Sequence, residues 1–195
     1  MSFDMRDVTG DWDYSTLPAN VRVGCDCWLE RRESFSRYRS KQPIGLSLGD
    51  RVRVYTWTAF NIEPSGSVEI GDDAVLVGAV FMCADSIRIG RRTVISYQVT
   101  IADSDFHPLD AAERRRDAIA NAPSGNREHR PAYQTKPVVI EDDVHIGIGA
   151  IVLKGVHIHA GARIGAGAVV TADVPAGALI QGNPGRQINL GGGPL

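Results

Sequence analysis

From Ile140 to Val174 an aliphatic residue returns at every sixth position: Ile140, Ile146, Val152, Ile158, Ile164 and Val170. Four residues after each comes Val144, Ala150, Val156, Ala162, Ala168 or Val174, all small or β-branched. An amphipathic helix repeats near 3.6, and a half-buried strand alternates by two over only a few residues. A strict six held over this length fits neither. It predicts a solenoid in which each hexad is one short strand and one turn.

Followed towards the N-terminus, the register gives Ile89, Ile95 and Ile101, then Ile70, Leu76 and Met82. Leu48, Val54 and Phe60 precede them, and Val23, Leu29 and Phe35 come first. The anchors fall into six groups of three. Triplets predict a coil with three flat faces, so the expected fold is all-β. It is a parallel β-helix of about six three-sided coils, stacked roughly 4.8 Å apart. The extra residues fall between triplets, so one corner is expected to absorb every insertion and the other two none. Residues 21–188 form the expected repeat domain, 1–20 a segment capping the open end of the solenoid, and 189–195 a tail. Cys27 falls at a small inward position.

The longest interruption, residues 102–137, follows the fourth coil. Loops of this length in a compact domain are usually functional when they are ordered. "DAAE", Asp110 to Glu113, has the spacing of a capping box for a short helix through Ala120. Arg114, Arg115 and Arg116 then read as a solvated face of that helix. At the opening of the interruption, "IADSDFHPLD" puts His107 beside Pro108, with Asp103 and Asp105 just before.

Composition removes several classes. A net charge of −2 and a pI near 6.2 give no global attraction to nucleic acid or acidic membranes. No run approaches the roughly 18 apolar residues of a membrane span. The opening "MSFDMRDVTGDWDY" has no apolar stretch, so no secretory leader is expected. Three cysteines, an odd number, suit a reducing, cytoplasmic compartment better than a disulfide framework. Cys25 and Cys27 form C-x-C with no second pair, so no zinc site is expected there. The glycines of "GIGAG" and "IGAGA" sit at fixed hexad positions and continue into neither phosphate-loop pattern, so they read as turns.

The hexads, above all "VVIEDDVHIGIGAIVLKGVHIHAGARIGAGAVVTADVPAGALIQGNPGRQI", resemble the hexapeptide-repeat acyltransferases over roughly residues 20–188. The resemblance implies left-handed coils, an acyl-CoA donor and a homotrimer that binds the donor between neighbouring prisms. The chain looks most like the galactoside, maltose and polysaccharide O-acetyltransferases, in which a histidine opening such a loop is the general base. His107-Pro108 matches that position. An imidazole with a pKa near 6.5 suits the task, because a sugar hydroxyl is a poor nucleophile until its proton is taken. Asp103 or Asp105 is expected to hold the other ring nitrogen, as a carboxylate does in hydrolase triads.

Carried over by position, His145 in "DDVHIG" stands where the family often has tryptophan. Ile148 falls where a backbone N–H faces the thioester oxygen. Ala166 and Thr171 match pantetheine-contacting positions, and Arg186 in "GNPGR" a basic residue near the CoA phosphates, with Lys154 a second phosphate candidate. The chain departs from the family at Ala172 and Asn189, both basic there, and has no acceptor asparagine near residue 76, where it reads "VLVGAVF".

The expected activity is acetyl transfer from acetyl-CoA to a hydroxyl of a sugar or glycosylated small molecule. Transfer is direct, within a ternary complex, with no acyl-cysteine and no metal. Antibiotic or other xenobiotic hydroxyls and amino-sugar nitrogens are the alternative acceptors. Two other readings share the fold, a γ-type carbonic anhydrase and a non-enzymatic scaffold. Zinc in the former needs three nitrogen ligands, and His145, His157 and His159 are spaced by twelve and two, unlike that family's pair five apart.

Overall fold

The computed structural model describes residues 16–188, so most of the expected N-terminal cap and all of the expected tail, Asn189 included, lie outside the described residues. The hexad anchors form strands of two to four residues. Strands this short have no stability alone, and each is hydrogen-bonded to its equivalents one coil above and below. The first sheet stacks Val21–Val23, Leu46–Leu48, Ser67–Ile70, Ser86–Ile89, Val138–Ile140 and His157–Ile158. The second runs from Trp28–Leu29 through Arg53–Tyr55, Val75–Val77, Val94–Ile95, His145–Ile146 and Arg163–Ile164 to Leu179–Gln181. The third holds Ala59–Ile62, Val80–Cys83, Thr100–Ala102, Ile151–Val152 and Val169–Val170. All these pairs are parallel; Arg186–Ile188 then folds back antiparallel on Leu179–Gln181. In the first coil the third face is a 3-10 turn, Arg32–Phe35, followed by Tyr38, which bridges Ile62.

The side chains that repeat by six fill the interior. Ile140, Ile146, Val152, Ile158, Ile164 and Val170 are all buried, as are the six small residues four places after them. Phe35, Phe60 and Phe81 continue the ladder on the third face, with ring centroids 5.5 Å apart in the tilted first pair and 5.2 Å apart in the stacked second.

One anchor departs from the regular count. Phe81, not Met82, is the buried partner of Phe60 and Ile101, so Leu76 and its successor are five apart rather than six. The turn between them, at Gly78, is one residue shorter than its neighbours. Gly78 has φ +62°, and a Cβ there would lie 2.9 Å from the ring of Tyr97, so only glycine fits the tight turn. The expectation that only one corner varies therefore fails at this coil, and Met82 is turned half outward while Ala79 takes the inside place of Val80. Cys27 is half-buried against the core rather than enclosed.

The corners leave backbone N–H groups without a strand partner, and carboxylates from the next coil accept them. Asp50 Oδ1 accepts from Cys25, Asp72 Oδ1 from Asp50, and Asp142 Oδ1 from Arg91, at 2.7–2.8 Å. Between the third and first sheets residues 103–137 leave the prism and return beside their exit. Ser104 bridges Thr135, and Lys136 N–H donates to the Asp103 carbonyl at 2.8 Å. The segment carries the helix Ala111–Ala120, whose Asp110 cap accepts the Glu113 N–H at 2.9 Å. Arg114, Arg115 and Arg116 are exposed on it.

Ile146 and Ile148 are two residues apart, yet the first is fully buried and the second 52% exposed. Ile146→Ala should cost about 2–5 kcal/mol of stability. Ile148→Ala should stay within about 0.5 kcal/mol. Denaturant melts of the two variants, compared with the parent, check the assignment of inside and outside.

Candidate functional site

The exit of the inserted segment is bent. Phe106 sits at φ +64°, a left-handed conformation that a bulky residue adopts only when its surroundings hold it. The His107 N–H closes a tight turn on the Asp105 carbonyl at 2.7 Å. The buried ring of Pro108 follows and limits the backbone next to the imidazole. His107 itself is 40% exposed at its side chain, and its Nδ1 lies 2.5 Å from Asp117 Oδ2.

Asp117 is completely buried on the inner side of the helix. Burial pushes its carboxyl pKa up, but hydrogen bonds and charge from Arg130 and His107 outweigh burial and hold it below the ordinary carboxylate range. Asp117 is therefore ionised, an acceptor only, and His107 Nδ1–H must donate to it. That fixes the tautomer and leaves the Nε2 lone pair open. Arg130 completes the arrangement: its Nε donates to Asp117 Oδ1 at 2.7 Å and its Nη2 to the Phe106 carbonyl at 3.1 Å. The Arg130 guanidinium also stacks on Tyr133, 4.9 Å from the ring centre.

The partner of the imidazole is thus Asp117, not Asp103 or Asp105. Asp103 is buried and accepts the Ala84 and Asp85 N–H groups, both at 2.8 Å, the same turn-satisfying role as the other corner carboxylates. Asp105 is 2.9 Å from Lys154 Nζ, so Lys154 meets a carboxylate of its own chain and is tied to the foot of the insertion.

His107 opens on a cavity of about 180 Å³. Asn61, Glu63 and Met82 line one side of it, and Phe106, His107 and Arg130 another. Cys83 also faces it, but burial, followed by the charge of Asp103, pushes its thiol far above the ordinary range, so the cavity holds no thiolate nucleophile.

None of His145, Ile148, Lys154, Ala166, Thr171 or Arg186 lines this cavity. Ile148 and Ala166 lie in successive turns between the second and third sheets, joined by a 2.8 Å bond from Gly167 N–H to the Ile148 carbonyl. The N–H groups of Ile148 and Ala166 have no hydrogen-bond partner among the described residues. His145 is exposed on the second sheet, and Thr171 and Arg186 are exposed farther along. Arg186 contacts the Gly185 carbonyl through Nη1 at 2.9 Å.

A second group of histidines lies on the first sheet. His157 Nε2 and His159 Nδ1 lie 2.7 and 3.1 Å from Glu141 Oε1, with their rings stacked 4.0 Å apart. The three ligand atoms are within 4.8 Å of one another, close enough to hold a metal ion, although the shared carboxylate already accounts for the arrangement. His145 is not part of that group.

Sequence reasoning singled out His107 but neither Asp117, which holds its ring, nor Arg130, which holds Asp117. Glu113, Asp117 and Ala120 are the three helix positions that are not fully exposed, spaced four and three apart, so the helical period of the segment did contain the signal. No helix among the described residues is long and apolar enough to cross a membrane.

Residues 137–172 match the family model of the bacterial transferase hexapeptide (six repeats). Over 52 residues the chain is 56% identical to a 2,3,4,5-tetrahydropyridine-2,6-dicarboxylate N-acetyltransferase of Staphylococcus aureus, covering 27% of this chain and 22% of that protein. The chain therefore spans about a fifth of the length of the curated relatives it matches. Among solved structures, a hexapeptide-repeat acetyltransferase from Vibrio cholerae complexed with acetyl-coenzyme A superposes with a TM-score of 0.52 at 30% identity, over 63% of this chain and 59% of that one. An N-acyltransferase from Bacillus cereus in complex with dTDP and coenzyme A gives 0.64 at 20% identity, over 86% and 82%, which shows a shared fold.

The lowered pKa of Asp117 has a sign that can be tested. Its contribution to stability is complete above the ordinary carboxylate pKa of about 3.9 and is lost as pH falls through the lower folded value. Amide exchange within residues 103–137 should therefore accelerate below about pH 4 before the repeat strands respond. In Asp117→Asn that acid-triggered step should disappear.

Proposed function

The chain is a hexapeptide-repeat protein, and on that premise we propose that it is an acyl-CoA-dependent acyltransferase, acting on a hydroxyl with His107 as general base. The carrying observation is the imidazole itself, half exposed at a cavity, with Nδ1 held by a buried, ionised carboxylate and Nε2 open. In the proposed step Nε2 takes the acceptor proton as the acceptor oxygen attacks the thioester carbonyl. The tetrahedral oxyanion is met by the unpaired N–H of Ile148. Collapse expels the CoA thiolate, which takes the proton back from His107, so transfer is direct and needs no acyl-enzyme.

The donor lies along the turns of Ile148 and Ala166, past Thr171, with its phosphates near Arg186 and with His145 flanking it on a left-handed coil. Acetyl-CoA is the proposed donor, which the acetyl-coenzyme A complex of the Vibrio cholerae relative supports. These positions and the His107 cavity have no residue in common within one protomer. A trimer reconciles them, since a neighbouring prism brings the donor turns to the histidine, and closed rings are the usual way identical subunits share a site. An amine acceptor is the second reading, favoured by the name of the Staphylococcus aureus relative. His107 would serve it equally, by removing the proton of an ammonium group.

His107→Ala should lower the rate of acetyl transfer by roughly 10²–10⁴ while acetyl-CoA binding persists. Asp117→Asn should lower the rate through the wrong tautomer and leave the donor KM nearly unchanged. CoA release in the presence of a panel of acceptors provides the assay. A folded His107→Ala protein with full turnover would remove the general-base role.

Light scattering should give the mass of three chains at micromolar concentration. A monomer that turns over at the full rate would remove the shared site.

A further inference from the structure

The cavity beside His107 is more basic than an acceptor made only of hydroxyl groups requires. Arg37, Arg39, Arg127 and Arg130 line it against a single carboxylate, Glu63. Four positive charges less one negative leave three, and counting Asp117 against Arg130 still leaves two. Glu63 is spread thinly, at 3.4 Å from Arg39, 3.8 Å from Arg127 and 3.5 Å from Arg130. Arg37 makes no ion pair with any described residue.

The crowding has a consequence on one of these groups. Burial first, and then the charge of Arg127, hold the Arg39 guanidinium below its usual range. Like charges converge at a cost unless something of opposite sign shares the space. The convergence also draws on separate parts of the chain. Arg37 and Arg39 follow the 3-10 turn of the first coil, whereas Arg127 and Arg130 come from the insertion that carries His107. Guanidinium forks match the planar oxygens of carboxylates and phosphates better than they match a neutral hydroxyl. The cavity, about 180 Å³, has room for a phosphate or carboxylate group beside the imidazole.

We propose that this cavity binds the anionic group, a phosphate or a carboxylate, of a hydroxyl-bearing acceptor, with Arg37, Arg39 and Arg127 as its seat. The acceptor's hydroxyl then faces His107 Nε2. The identity of the anion seat stands on the arginines alone, while the word acceptor rests on the acyl-transfer reading. Arg130, already held by Asp117, links the two, because the residue that fastens the catalytic pair also borders the seat.

Calorimetric titration of the full-length protein, first saturated with CoA to fill the donor's own phosphate sites, tests the proposal. The probes are inorganic phosphate, glucose 1-phosphate, glucuronate and glucose. At least one anion should bind ten times or more tightly than glucose, and the difference between glucose 1-phosphate and glucuronate separates a phosphate seat from a carboxylate seat. Added salt should weaken the binding. Arg39→Gln combined with Arg127→Gln should weaken it about tenfold or more. Arg37→Gln, at an exposed side chain with no ion pair to lose, should weaken it without touching the fold, and Arg115→Gln, at an exposed helix position outside the cavity, should leave it unchanged. Equal binding of glucose, anion binding seen only when CoA is absent, or affinity indifferent to Arg37, Arg39 and Arg127 would each overturn the proposal. Anion binding that follows the arginines, without CoA release from any phosphorylated or carboxylated acceptor, would uphold the seat and count against the acyl-transfer reading.

Discussion

The hydrogen bonds between successive coils hold everything else in place. Along the second sheet the N–H of Arg53 donates to Ala74, Val75 to Thr93, Val94 to Val144, His145 to Ala162 and Arg163 to Ala178, all within 2.8–3.0 Å. Each bond ties a residue to its counterpart one full turn away. An in-register stack of this kind puts like side chains above one another, so the interior can be filled only by a repeating size. That is why small and β-branched residues recur at the inner turn positions and long aliphatic ones on the strands. The same bonds restrict insertions. A segment may leave at a corner, but it must return to the same point, since Val138 has to meet Ile87 one coil below as though residues 103–137 were absent.

The inserted segment cannot borrow that stack, and it is fastened differently. Its helix has little apolar surface to bury, with Ala120 alone among its hydrophobic residues fully enclosed. A buried carboxylate takes over. Asp117 gathers Arg130 from the end of the 3-10 turn Arg127–His129 and His107 from the exit, joining the two sides of the loop at one point. Breaking a buried pair by removing one partner typically costs 3–5 kcal/mol, whereas an exposed pair contributes about 0–1. Fastening and orientation are therefore the same interaction. The carboxylate that fastens the loop also sets the tautomer of the His107 imidazole, so a rigid loop and an oriented ring come together.

How far the sequence revealed this follows from the same distinction. The three-faced coil was legible because a single backbone constraint acts again at every coil, writing itself into Ile140, Ile146, Val152 and their successors. The slip at Phe81 was not, because Phe81 and Met82 are both apolar: a count of six from Leu76 lands on Met82, and nothing in the residue types marks the turn at Gly78 as one residue short. His107 was legible from its place at the exit of the coil. Its partner was not, because nearness in sequence favoured Asp103 and Asp105, while the choice is made by where the helix docks. Asp103 is consumed by the N–H groups of Ala84 and Asp85, a demand that arises at a corner of the prism and has no mark in the local sequence.

Donor and acceptor chemistry also draw on different materials in this fold. The proposed donor side uses main-chain atoms at hexad turns, such as the N–H groups of Ile148 and Ala166, whose positions the coil geometry sets whatever side chain is present. These turns lie within residues 137–172, the stretch that carries the family's repeat. The proposed acceptor side uses side chains, His107, Arg39 and Arg127, mounted on segments that interrupt the repeat. A change in those segments alters which molecule is held without disturbing the stack beneath, because the coils below and above pair directly with each other. On that proposal acceptor identity is written in the interruptions, and it is read from the charges they bring together rather than from the repeat they interrupt.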